Sequence, residues 1–185
     1  MSKKILIVIG LVVLSACGVY SIQSSSSPSP DDVQPGVQII PTVDAIKTAM
    51  IDDDLAYTTL LHFFDHLHAG RYEEAVPLYG GDYQLLIDQN PEIDPADHAR
   101  LMKNACTTNG FRCLKIKLAG IDWKNSPNEY VFTVQFQNDD GSLFVLGPCC
   151  GASETEQPPV SFFEIRVLKI AEGEFRVLDM PPYMP

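Results

Sequence analysis

The hydrophobic period changes once along the chain, close to Asn109-Gly110, and that change decides the class of fold. Upstream, from Thr42, apolar residues recur at helical spacing. The clearest stretch is Leu55 to Ala69, where Tyr57, Leu60, Phe63, Phe64 and Leu67 share a face at about 100° per residue, with Leu61 at its edge. Gly70 ends that helix. Arg71 to Tyr79 reads as a short second helix closed by Gly80-Gly81, and Asp82 to Gln89 as a third. A fourth opens with Asp94 as cap and Pro95 at the first helical position, carries Asp97 in its first turn, and runs to about Ala105.

Downstream the period is two. Leu114, Ile116 and Leu118 alternate with Lys115, Lys117 and Ala119, and Tyr130, Phe132, Val134 and Phe136 alternate with Val131, Thr133, Gln135 and Gln137. Asp140-Gly141 predicts a hairpin turn into a strand over Leu143 to Leu146. A further strand covers Val160 to Ile170, Glu172-Gly173 turns it, and Glu174 to Asp179 returns. Helices followed by strands predict an α+β domain, with N-terminal helices packed on one face of a curved antiparallel sheet of four to five strands.

The run Phe63-Phe64-…-Leu67-…-Gly70-Arg71-Tyr72-Glu73-Glu74-Ala75, with this order of elements, resembles the NTF2-like (cystatin-like, cone-shaped) superfamily over about residues 43 to 180. The resemblance implies a conical domain with a pocket at its mouth. It implies no particular reaction, because enzymes, binding modules and bacterial lipoproteins share the shape.

Ahead of the domain, Lys3 and Lys4 precede an apolar stretch from Ile5 to Leu14, then Ser15 and Ala16, then Cys17. This is the layout of an export signal. Leu14-Ser15-Ala16-Cys17 also resembles the lipobox of bacterial lipoproteins, which implies cleavage and a lipid on Cys17. The competing reading is an uncleaved helix, since Ile5 to Ile22 carries no charge and is just long enough to span a bilayer. Both readings keep the lysines inside and place the rest outside, on the extracytoplasmic side of a cell membrane or outer membrane. The expected organisation is a signal segment at 1–17, a disordered Ser/Pro-rich tether at 18–41 reaching roughly 25 Å, and one domain at 42–185. The formal net charge of −11 repels phosphate backbones, and the lysines and arginines are scattered, so nucleic acid is not an expected partner. The expected partners are the membrane, through the lipid, and an envelope protein or small ligand.

Four further cysteines, Cys106, Cys113, Cys149 and Cys150, are an even set in an exported domain and so are disulfide candidates. Adjacent Cα atoms lie about 3.8 Å apart, below the usual disulfide range, which disfavours a Cys149–Cys150 bond. Cys106 and Cys113 are therefore expected to be cross-linked to Cys149 and Cys150, with the choice of partner open. A zinc site is disfavoured by the spacings, and a redox pair by the lack of Cys-x-x-Cys.

His62 and His66, with Asp65 between them, have a metal-binding spacing but fall opposite the apolar face, where a solvated role is expected. His68 is expected to pack at the flank of that face, and His98 has no obvious partner. Asp52-Asp53-Asp54 reads as acidic residues ahead of the long helix, and Asn138-Asp139-Asp140-Gly141 as turn chemistry; neither has the ligand alternation of a calcium loop. No catalytic, cofactor-binding or metal residue is assigned. Two hypotheses stand: a non-catalytic binding module, or an enzyme of hydrolase, isomerase or dehydratase type with an acid or base inside the cone. A filled interior favours the first and a cavity with a buried Asp, Glu or His the second.

Overall fold

The computed structural model describes residues 43–184. Helix α1 (Val43–His68) is followed by α2 (Tyr72–Ala75), a 3-10 turn (Val76–Leu78), α3 (Gln84–Asp88) and α4 (His98–Thr107). Four strands complete the chain: β1 (Lys115–Ser126), β2 (Glu129–Gln137), β3 (Phe163–Ala171) and β4 (Glu174–Val177). They form an open antiparallel sheet in the order β1-β2-β3-β4. The α+β class is as expected. Leu143 to Leu146 is not a strand; it contributes isolated bridges, Gln137 with Leu143 and Leu146 with Val160.

The core lies between α1 and one sheet face. On α1 the sealed face is Ala56, Leu60, Phe63, Phe64 and Leu67. Tyr57 sits at its margin, 37% exposed, with its ring 6.2 Å from that of Phe132. On β2 Tyr130, Phe132, Val134 and Phe136 are all buried as the period of two predicts, while Val131 on the other face is buried as well. Ile165 and Val167 of β3 pair with Phe132 and Tyr130 and extend the same face. Aromatic edges interlock across the layers, with Phe64 5.3 Å from Phe63 and 5.1 Å from Phe136.

β1 departs from simple alternation. Register shifts fall between Ile116 and Leu118, Ile121 and Trp123, and Lys124 and Ser126. Each extra residue flips the remainder of the strand to the other face. Ile116 packs on the core while Leu118, expected beside it, is 60% exposed.

The acidic triplet is also displaced from its expected place. α1 begins at Val43, so Asp52, Asp53 and Asp54 lie inside the helix rather than ahead of it. Asp52 binds Lys169 of β3 at 2.8 Å, and Asp53 binds Lys124 of β1 at 2.6 Å. Ion pairs to the sheet, not the helix dipole, account for two of the three acids. In α4 the cap is Asp97, which accepts from the Arg100 amide at 3.1 Å. Asp94 instead closes its own turn by accepting from Ala96 N at 2.9 Å, so the expected start at Pro95 moves to His98.

Several surface carboxylates are held below their ordinary range. For Asp65 the main cause is the hydrogen bond from Arg71, for Asp140 that from the Ser142 hydroxyl, and for Glu156 that from the Ser153 amide. A folded pKa below the unfolded one stabilises the fold above the unfolded value, and that contribution is lost as pH falls through the folded value. The melting temperature is therefore expected to decline below about pH 4. Asp140→Asn should flatten part of that decline in thermal melts followed by circular dichroism; an unchanged acid slope would remove Asp140 from the account.

Candidate functional site

The reversal after α4 organises one end of the domain. Gly110 adopts φ +88°, and a Cβ there would run into the Met184 carbonyl, so glycine is required on both counts. The turn lets Phe111 N donate to Ala105 O at 3.1 Å and brings Cys113 back beside α4. Cys106 and Cys113 are bonded to each other, with Cα atoms 5.4 Å apart. This corrects the expected cross-links to Cys149 and Cys150. The physical reason is local: a glycine-permitted reversal returns the chain within seven residues, whereas the expected bridge had to close about 36. His68 is packed there too, its Nδ1 donating to the Cys113 carbonyl at 3.1 Å.

The C-terminal residues lie along the same reversal. Arg112 N donates to Pro182 O at 2.8 Å, Met184 N donates to Gly110 O at 2.9 Å, and the Phe111 and Tyr183 rings are 5.2 Å apart. Tyr183 and Met184 thereby form one wall of an open groove of about 520 Å³. The other wall is Leu146, Gly147, Pro148, Cys149, Cys150 and Gln157. Leu146 and Val160 exchange hydrogen bonds of 2.8 Å in both directions, and Cys149 N donates to Gln157 Oε1 at 2.9 Å, which fixes this wall. The lining is mostly apolar and sulfur-bearing. Gln157 also lines the groove, and its side-chain amide carries N–H donors.

Cys149 and Cys150 are free thiols with Sγ atoms 2.7 Å apart at the edge of this groove. Contact with Cys150 pushes the Cys149 thiol pKa up.

The histidines are engaged elsewhere. His62 is exposed, and its ring stands 6.2 Å from that of His66. His66 Nδ1 accepts from Arg71 Nε at 2.9 Å, so it cannot also donate to Glu74 Oε2 at 3.1 Å; Glu74 pairs with Arg71 instead. Arg71 also binds Asp65 at 2.7 Å, so a guanidinium occupies the place a cation between Asp65 and His66 would need. His98 has a partner after all, stacking on Tyr83 with ring centroids 3.8 Å apart. Burial pushes the Tyr83 phenol up to about 12. Among the described residues, no three His, Cys, Asp or Glu side chains gather where a metal could be held. Asn138 to Gly141 is a turn, with Asp140 Oδ1 accepting from the Ser142 amide and hydroxyl at 2.9 and 2.6 Å.

The space between α1 and the sheet is filled. Phe63, Phe64, Phe132, Val134 and Phe136 are each 0% exposed, and the buried polar or charged residues among those described are Asp52, paired with Lys169, and Asn90. Asn90 donates to the Leu86 carbonyl at 2.7 Å and accepts from Asn104 at 3.0 Å.

Sequence reading missed the groove. Cys149 and Cys150 stood out only as cysteines, and Leu146 only as part of a strand. Tyr183 and Met184 lie in a proline-rich tail with no period to read; the signal available was the Gly-Pro-Cys-Cys-Gly run, whose turn residues bracket the thiols. Cys17, the signal segment and the tether lie outside the described residues, as does Ile5 to Ile22. Among the described residues, no helix is long and apolar enough to cross a membrane. No family model matches the chain, and no curated protein or solved structure matches it either.

Proposed function

We propose that the chain is a lipid-anchored extracytoplasmic binding module. In this reading Cys17 carries the lipid, the tether displays an NTF2-like cone, and the ligand sits in the groove beside Cys149 and Cys150. The observation that carries the non-catalytic reading is the filled space between α1 and the sheet. An enzyme of this shape needs an acid or base in a cavity there, and Phe64, Phe132 and Phe136 occupy that space. The disulfide between Cys106 and Cys113 fits an oxidising compartment. A groove of about 520 Å³ falls within the size range of small-molecule sites. Its chemistry suits a compact ligand with an apolar body and one hydrogen-bond acceptor facing Gln157.

Nile red, a neutral planar dye with a carbonyl acceptor, tests the groove directly. Saturable binding with blue-shifted emission is expected. Met184→Glu places a charge in one wall and should weaken binding about tenfold, equivalent to roughly 1.4 kcal/mol. Leu118→Glu, on the exposed outer sheet face, should leave binding unchanged. Equal affinities for the Met184 variant and the parent protein, or no saturable binding, would sink the groove as the site.

A further inference from the structure

We infer that Cys149 and Cys150 are a reversible redox pair, cycling between a dithiol and a vicinal disulfide that caps the groove; the short Cα spacing that disfavours this bond as a permanent cross-link strains it and so makes it readily reduced. Adjacent side chains on an extended chain point to opposite sides, so neighbouring thiols do not ordinarily meet. Here Cys150 has φ +60°, the one non-glycine residue with positive φ among those described, and Gly151 follows at +88°. That left-handed turn swings both sulfurs to the same side, 2.7 Å apart. A cysteine held in this conformation is uncommon, and such outliers cluster at functional positions. The loop is pinned around them: Cys149 N donates to Gln157 Oε1, Ala152 N donates to Cys149 O at 3.0 Å, and the Ser153 amide and hydroxyl both donate to Glu156 Oε2. Cys150 is exposed and Cys149 half-buried, so an exchanging reagent reaches them. Cys106 and Cys113 satisfy each other and do not compete.

The oxidant is a disulfide, either a small molecule or the active-site disulfide of an oxidoreductase. The Cys150 thiolate attacks one of its sulfurs, forming a mixed disulfide and expelling the other sulfur as a thiolate. The Cys149 thiolate then attacks Cys150 Sγ, closes the ring and expels the second thiolate. The pair loses two electrons and two protons, and the reagent gains them as two thiols; a dithiol reverses the step. Closure replaces two S–H groups at the groove edge with a rigid apolar surface. This inference does not depend on the anchor or on the identity of the ligand.

The test is equilibration of the full chain in glutathione buffers of graded oxidised-to-reduced ratio, acid quenching, tryptic digestion and mass spectrometry. Trypsin leaves Cys149 and Cys150 together in fragment 125–166 and separates Cys106 in 104–112 from Cys113 in 113–115. Fragment 125–166 should convert to a species two hydrogens lighter in a single two-electron transition that reverses on reduction. Cys149→Ser should instead accumulate glutathione on Cys150, having lost the resolving thiol. The inference is overturned if the parent fragment stays a dithiol at every ratio, carries glutathione at equilibrium, or is found joined to 104–112 or 113–115.

Discussion

Replacing Phe64 with alanine is expected to lower the unfolding free energy by about 3–5 kcal/mol. The side chain is 0% exposed and its ring lies against those of Phe63 and Phe136, so truncation leaves a void that neighbours fill only in part. Domains of this size have only about 5–15 kcal/mol in total, so the variant should unfold at a much lower urea midpoint. Tyr57→Ala is the internal comparison, because Tyr57 lies on the same helix but is 37% exposed; a cost of about 1 kcal/mol is expected there. Equal losses for the two variants would mean that the space beneath α1 is loosely occupied. The room for a catalytic cavity would then return.

The second large effect concerns attachment. In cells fed a clickable fatty acid, the parent protein should carry the label, and its mature form should begin at residue 17. Cys17→Ala should abolish the label completely. Each buried methylene contributes about 0.8 kcal/mol to membrane binding, so two acyl chains anchor firmly where one chain holds only marginally. Recovery of the parent protein with Met1 present and Cys17 unmodified would favour the uncleaved helix and remove the lipid from the proposal.

The parts of the fold that were legible in the sequence are those where one period runs uninterrupted. Tyr130 to Phe136 lies on a central strand with a buried face, and four residues spaced two apart were enough to place it. Phe63, Phe64 and Leu67 were read for the same reason. The features that could not be read depend on distant partners. The start of α1 was hidden because Asp52 and Asp53 resemble cap residues until Lys169 and Lys124 are seen opposite them. Leu118 was misplaced because a bulge is set by pairing with β2, which leaves no mark in the spacing of β1 itself. The cysteine pairing depends on Gly110, which in the sequence marks a change of period but not a reversal of the chain. The groove was out of reach because its two walls, around residues 146–157 and at 183–184, meet only after folding.

The irregular register of β1 bears on how copies of this molecule coexist at high local concentration. A long, flat outermost strand is a template on which a neighbouring copy can add its own strand. β1 is twelve residues long, but three dislocations interrupt its free backbone edge and Lys115, Lys117 and Lys124 line its course. The opposite border, β4, offers only four residues. Neither margin of the sheet can be continued far by another chain, which guards many copies in close proximity against fibrous stacking.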